Sequence, residues 1–194
     1  MKIKKYHSYQ TYVDIQVAAN TRKINQVWAS KPVIKRIVEA CLELGVTPPM
    51  NILCHGTRNG AEQRYFKEFL EVEYIIGTEI SPSAIKFPDT IHWDFHKMNK
   101  SWLGFFDIVY SNSLDHSINP NGAVSNWLKS LKPTGILIIQ WLEKQCTKTD
   151  PFSASTENIC QLVENQGGKA IKLDPVGYEK KGRPNNLIFC KRAI

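Results

Sequence analysis

The sequence lacks several features that would settle its class at once. No apolar run approaches the ~20 residues of a bilayer-spanning helix; stretches such as Ile136 to Ile139 are far shorter. Lysines at positions 2, 4 and 5 are followed by the polar Tyr6–Gln10, so no secretory leader and no membrane association are expected. The five cysteines (Cys41, Cys54, Cys146, Cys160, Cys190) are odd in number, scattered, and form no Cys-x-x-Cys or Cys/His cluster. Neither a disulfide framework nor a metal site is expected, and reduced thiols point to a cytoplasmic protein. There is no internal repeat and no low-complexity tract. With 194 residues, 42% hydrophobic and 22% charged, the composition is that of one globular domain able to bury its own core.

Acidic residues are also in short supply. Eighteen Asp and Glu face 25 Lys and Arg, a net charge of +7, and residues 1–40 carry eight basic side chains against two acids. Such a surplus can attract an anion. No nucleic-acid motif accompanies it, so a solvated basic face is the favoured reading and strong nucleic-acid binding is not expected. An anionic cofactor or substrate is the remaining option.

Residues 1–30 are polar and aromatic, holding Tyr6, Tyr9, Tyr12 and Trp28. They read as an N-terminal lid or cap on a core spanning 31–194, the whole forming a single domain. The aromatics can cover an acceptor or anchor the segment to the core. From Pro32 the pattern is regular. Val33, Ile34, Ile37, Val38, Cys41 and Leu42 recur at helical spacing, and Gly45 ends the helix. Strands are then expected at 51–54, 74–78, 90–93, 106–110, 135–141, 169–173 and 186–190. Helical patterns lie between them at Ala61–Leu70, Ser81–Ile85, Ala123–Leu131 and Ile159–Val163. Alternation of this kind predicts an α/β fold: parallel strands, helices on both faces, and seven strands in all. No helical pattern separates the last two strands, which are expected to pair antiparallel across a long loop, Asp174 to Asn185. In such sheets ligands bind beyond the carboxyl ends of the strands, where strand order reverses.

Four segments fall at those ends. His55-Gly-Thr-Arg-Asn-Gly60 follows the first strand. Gly56 and Gly60 allow positive φ and close backbone approach. Asn59 can cap the next helix with Glu62 completing a capping box. A P-loop is excluded because Ala61-Glu62 stands where Gly-Lys-Ser/Thr is required, and a dinucleotide fingerprint because Arg58 and Ala61 replace its later glycines. Glu79, followed by Ile80, ends the second strand, where an acid can accept both hydroxyls of a ribose or cap the turn at Ser81. Asp94 and Phe95 follow the third strand and offer an acceptor and a flat ring. Ser111 and Asn112 end the fourth, and Asp115 and His116 open the loop beyond. Imidazole is a natural proton acceptor near neutral pH, or a loop residue that merely packs.

Taken in order, these segments resemble the class I S-adenosylmethionine-dependent methyltransferases over about residues 33 to 192. The resemblance rests on Ile52-Leu-Cys-His-Gly-Thr-Arg-Asn-Gly60, then Glu79, Asp94-Phe95, Phe106-Asp-Ile-Val, and Leu131-Lys-Pro-Thr-Gly135. It implies a three-layer Rossmann-like fold whose last strand is antiparallel, with S-adenosylmethionine as cofactor. His55, Gly56, Thr57, Arg58 and Gly60 would then cradle the methionine end. Glu79 and Ile80 would hold the ribose, Asp94 and Phe95 would flank the adenine, and Ser111 and Asn112 would line the floor near the methyl group. Two positions depart from the family. Cys54 stands where an acid usually ends the first strand, and Arg58 replaces the middle glycine, where it can pair with the cofactor carboxylate or point to solvent. The motifs of base and amide-nitrogen methylation (Pro-Pro-Tyr/Phe after Asn112) and of cytosine-C5 methylation (Pro-Cys) are absent. The expected activity is methyl transfer to an oxygen or nitrogen of a small polar acceptor, with His116 and then Asp115 as the candidate base. The alternative is a binding module on the same fold that does not turn over.

Overall fold

The computed structural model of the protein describes residues 1–179 and 183–193. A short strand β1 (Lys2–Ile3) leads into helix α1 (Tyr9–Arg22), followed by α2 (Lys31–Glu43), β2 (Met50–His55), α3 (Ala61–Phe69), β3 (Val72–Glu79) and β4 (Thr90–His92). Then come β5 (Phe106–Ser111), α4 (Pro120–Ser130), β6 (Leu131–Leu142), β7 (Phe152–Ser153), α5 (Thr156–Asn165), β8 (Gly168–Glu179) and β9 (Arg183–Arg192). Three single turns of 3-10 helix lie at Pro82–Lys86, Lys100–Trp102 and Leu114–His116.

Seven strands form one sheet in the order β4-β3-β2-β5-β6-β9-β8. Pairings from β4 across to β6 are parallel, and β9 runs antiparallel to both neighbours. Period-two alternation sorts the side chains. Leu53, Val109, Leu137 and Ile188 pack on one face with α4 and α5, while Ile52, Ile108, Ile138 and Leu187 pack on the other with α2 and α3. The result is a three-layer sandwich with central strands buried on both faces. Strand order reverses between β2 and β5, so the loops leaving their carboxyl ends flank one crevice.

The expected strands and helices from residue 31 onward are present, with two differences there and a third in the N-terminal segment. The loop expected at Asp174–Asn185 is largely strand: β8 continues to Glu179 and pairs Asp174 with Leu187 and Pro175 with Asn186. Pro175 is accommodated because β8 is an edge strand, where a missing donor is tolerated; residues 180–182 lie outside the described residues. Helix α4 ends at Ser130, and Pro133 lies inside β6. The third difference is α1, which the polar N-terminal segment did not suggest. Its buried residues, Tyr12, Gln16, Ala19 and Asn20, repeat at helical spacing but are mostly polar, and Ser8 caps it by accepting from the Thr11 amide. Strand β1 pairs with β7 in a separate two-stranded sheet, tying the N-terminus to the segment after β6.

Candidate active site

Left-handed backbone shapes the loop after β2. Gly56, Arg58 and Gly60 have φ of +74°, +49° and +67°. A Cβ at Gly56 would lie 2.5 Å from that of Ser113, so only glycine fits there. Arg58 keeps the glycine-like conformation despite its side chain. The amides of Gly56 and Thr57 donate to the Thr78 carbonyl at 2.8 and 3.1 Å, fastening the loop to β3. Gly60, not Asn59, is the N-cap of α3. The capping box is therefore not formed. Asn59 instead donates from Nδ2 to the Ile24 and Gln26 carbonyls, and Glu62 turns into the protein, where it is 5% exposed.

Glu79 ends β3 with both oxygens anchored: Oε1 accepts from the Ser81 amide at 2.9 Å and Oε2 from the Arg58 amide at 3.1 Å. It lines a small cavity of about 50 Å³ together with Ile80, Phe95, Gly56, Arg58 and residues Tyr12, Gln16, Ala19 and Asn20 of α1. The cap thus lies directly over Glu79. A neighbouring cavity of about 680 Å³ is walled by Gly56, Thr57, Arg58, Glu62, Asn112, Asp115, His116, Gln140, Lys144 and Asp150, with Trp28 at its edge.

Not every expected residue reaches these cavities. The His55 side chain turns into the core, stacks on Trp127 at 5.0 Å and 18°, and meets Thr78 Oγ1 through Nδ1 at 2.9 Å. Burial, helped by His96 and opposed by Asp94, pushes its pKa down to about 3. Ser111 is also fully buried, donating to the His55 carbonyl and accepting from the Ser113 amide. It secures the strand ends and does not form the floor; Asn112 does. Asp94 lies outside both cavity walls because its oxygens are engaged. Tyr9 donates to Oδ2 at 2.5 Å, and His96 contacts Oδ1 through its amide and Nδ1 at 2.9 and 2.7 Å. Burial alone would raise the Asp94 carboxyl, but His96 and the Tyr9 hydroxyl outweigh it and hold the pKa at about 2. A depressed carboxyl stabilises the fold above its unfolded value, ~3.9, and loses that contribution as pH falls toward 2. Asp94→Asn is accordingly expected to cost about 1–2 kcal/mol at pH 7 and almost nothing near pH 2, which chemical denaturation across pH will measure.

The loop after β5 and the loop after β6 meet at His116. Its Nδ1 lies 2.7 Å from the Thr149 carbonyl, an acceptor only, so Nδ1 carries the proton and Nε2 is the free lone pair in the neutral ring. Asp115 Oδ1, buried and without a partner, sits 3.8 Å from Nε2. Lys144 joins Asp115 at 2.5 Å and Asp150 at 3.0 Å. Burial lowers the Lys144 pKa, but the two carboxylates more than reverse it and keep the ammonium charged. Asp115, His116 and Asp150 have the donor types and the spacing for a metal ion, a grouping the sequence did not suggest. Lys144 supplies the cation there. Lys144 and Asp150 carry no motif in the sequence; their place beyond the carboxyl end of the fifth expected strand is the signal that points to them.

The loop, cradle and floor fit an adenosyl amino-acid cofactor. Glu79 is fixed at the strand end, and Arg58 Nε and Glu62 Oε2 are buried polar atoms without partners. The sheet order, the left-handed loop and the acid ending β3 define the class I methyltransferase fold. Residues 53–139, the stretch carrying the loop, Glu79 and the β5–α4 connection, match the family model described as a methyltransferase domain. No curated protein sequence matches the chain. Among solved structures, it is similar to the 1,6-didemethyltoxoflavin-N1-methyltransferase of Burkholderia thailandensis, determined with 1,6-didemethyltoxoflavin and S-adenosylhomocysteine bound. The TM-score is 0.76 at 13% identity, covering 98% of this chain and 92% of that one. It is similar too to the magnesium protoporphyrin IX methyltransferase of Synechocystis PCC 6803 with S-adenosylmethionine bound (TM-score 0.67, 11% identity, 97% and 100% covered). The [4+2]-cyclase SpnF shares the fold as well, at TM-score 0.71 and 12% identity over 99% and 98% of the two chains. At such identities the likeness is one of fold, and a cyclase in the set means that the reaction must be argued from the site. No helix among the described residues is long and apolar enough to cross a membrane.

Proposed function

We propose that the protein transfers a methyl group from S-adenosylmethionine to an oxygen or nitrogen of a small polar acceptor. One observation carries this reading. A single 680 Å³ cavity joins the loop Gly56–Asn59 to the His116, Asp115 and Lys144 cluster, so a group bound on the loop faces a free imidazole lone pair. When bound, the cofactor supplies an activated methyl group on a sulfonium, which needs positioning more than activation. The loop from Gly56 to Arg58 holds its amino-acid end, Glu79 its ribose, and Ile80 and Phe95 pack beside the adenosine. Asn112 lies on the floor between that end and His116. His116 Nε2 accepts a proton from the acceptor as it is methylated, with Thr149 and Asp150 fixing the ring. Gln140, Gln145 and Lys144 line the rest of the cavity and suit an acceptor rich in hydrogen-bonding groups. Nothing in this machinery calls for nucleic acid.

Titration calorimetry is the direct test. S-adenosylhomocysteine is expected to bind in preference to NAD and ATP, and Glu79→Ala to weaken it by about 1–3 kcal/mol through lost charge-assisted bonds. Failure of the unmodified protein to bind S-adenosylhomocysteine overturns the reading.

A further inference from the structure

Cys54 leaves the end of β2 without a charge, yet a carboxyl group stands close behind it. Glu62, in the first turn of α3, is buried in the wall of the large cavity. Its Oε1 accepts from Asn112 Nδ2 at 3.3 Å, and its Oε2 has no hydrogen-bond partner. Arg58 shares this wall; its terminal nitrogen donates to the Gln26 carbonyl at 3.2 Å, and its buried Nε has no partner. The cavity therefore presents an acceptor of one sign and a donor of the other, both incomplete. Buried polar groups usually find a hydrogen-bond partner, and these two face the cavity that a ligand would enter.

We infer that Glu62 receives the α-ammonium of the cofactor's amino-acid end while Arg58 takes its carboxylate, the pair doing from the loop and helix what Cys54 cannot do from the strand. This rests on the cofactor reading above. An ammonium has three donors and a single positive charge, which is what Oε2 lacks. Lys144, also on the cavity wall, is committed to Asp115 and Asp150. Burial pushes the free Glu62 carboxyl up to about 7, against the pull of its own backbone amide, Asn112, Arg58 and Arg64. Cys54 from β2 and Tyr110 from β5 face it from the sheet and bring no positive charge. An arriving ammonium therefore ionises the carboxyl and expels a proton. In the free protein the raised pKa makes Glu62 increasingly destabilising as pH rises from about 4 through 7, so the residue burdens the fold it belongs to.

The experiment compares S-adenosylhomocysteine with 5′-methylthioadenosine, which lacks the amino-acid end, by calorimetry at pH 7 in buffers of different ionisation enthalpy. The wild-type protein is expected to bind S-adenosylhomocysteine more tightly and to release a fraction of a proton with that ligand alone. Glu62→Gln should weaken S-adenosylhomocysteine roughly 10- to 100-fold, leave 5′-methylthioadenosine unchanged, and abolish the proton release. Its melting temperature without ligand at pH 8 should be no lower than that of the wild type. Unchanged affinity for S-adenosylhomocysteine in the variant, or no proton release from the wild type, overturns the role of Glu62 while leaving the cofactor reading standing. Binding of neither ligand by the wild type overturns the cofactor reading and this inference with it. Should Glu62→Gln fail to fold, the wild-type proton release decides alone.

Discussion

His116→Ala is expected to lower turnover by about 10²–10⁴ while affinity for S-adenosylhomocysteine hardly moves. The asymmetry follows from geometry. His116 lines the large cavity and reaches the small one beside Glu79 without bonding to it, and its Nδ1 proton is already given to the Thr149 carbonyl. Removing the ring leaves the loop after β2 and its anchors to β3 untouched. It takes away the one neutral lone pair set beside the acceptor space. Asp115→Asn offers a comparison: it breaks the contact with Lys144 and leaves the Thr149 bond intact, so it should cost less than His116→Ala. Steady-state rates across pH, with melting temperatures alongside, separate the possibilities. If His116→Ala loses stability and activity together and keeps the wild-type pH profile, the ring is only structural.

Trp127→Ala is the substitution expected to damage the fold most. The indole is 1% exposed, stacks on His55, meets Phe95 edge-on at 5.5 Å, and donates from Nε1 to the Phe95 carbonyl at 3.2 Å. Truncation leaves a large void and an unsatisfied carbonyl, a loss of about 3–5 kcal/mol, or roughly 10 °C in melting temperature for a chain of this size. Trp127→Phe should retain most of the packing and lose only the hydrogen bond. His55 adds a pH signature. Its folded pKa of about 3 lies below the unfolded value of 6.5, so the wild type loses stability as pH falls from 6.5 toward 3. Opening the core beside His55 lets the ring take up its proton when folded, and that slope should flatten in Trp127→Ala. A drop below about 1 kcal/mol in denaturant unfolding would show that the site collapses around the missing ring.

The sheet was legible because its strands are buried on both faces and read as short apolar runs between glycines and prolines. Ile52-Leu-Cys and Ile136-Leu-Ile-Ile announce themselves. Helices α2 to α5 were legible for the complementary reason that each keeps an apolar stripe. Helix α1 was not, because it covers a ligand cavity and its buried face is Tyr12, Gln16, Ala19 and Asn20. Of the site, backbone positions were easier to foresee than side-chain directions. Gly56, Gly60 and Glu79 stand where the order of segments put them. His55 and Ser111 occupy the expected strand ends, yet their side chains point into the core, since one step along a strand decides which side a residue faces. Glu62 was read as a cap because Asn59-x-x-Glu62 fits a capping box, a pattern that the left-handed Gly60 displaces by one residue. The loop after β6 contributes Lys144, Thr149 and Asp150, and no local pattern ties such residues to a histidine some thirty positions earlier.

The pairing of β1 with β7 carries a mechanical meaning. Lys2 and Ile3 lie beside Ser153 and Phe152, Tyr6 donates to the Lys148 carbonyl, and Gln16 donates to the Thr149 carbonyl at 2.9 Å. That same carbonyl orients His116. The first sixteen residues and the imidazole are therefore links in one chain of contacts: the N-terminal arm holds the segment whose Thr149 carbonyl accepts from His116. Shifting α1 far enough to uncover Glu79 breaks the Gln16 link and slackens the support behind the ring. Returning α1 restores both at once, so on the proposed reading closure over Glu79 and alignment of His116 go together.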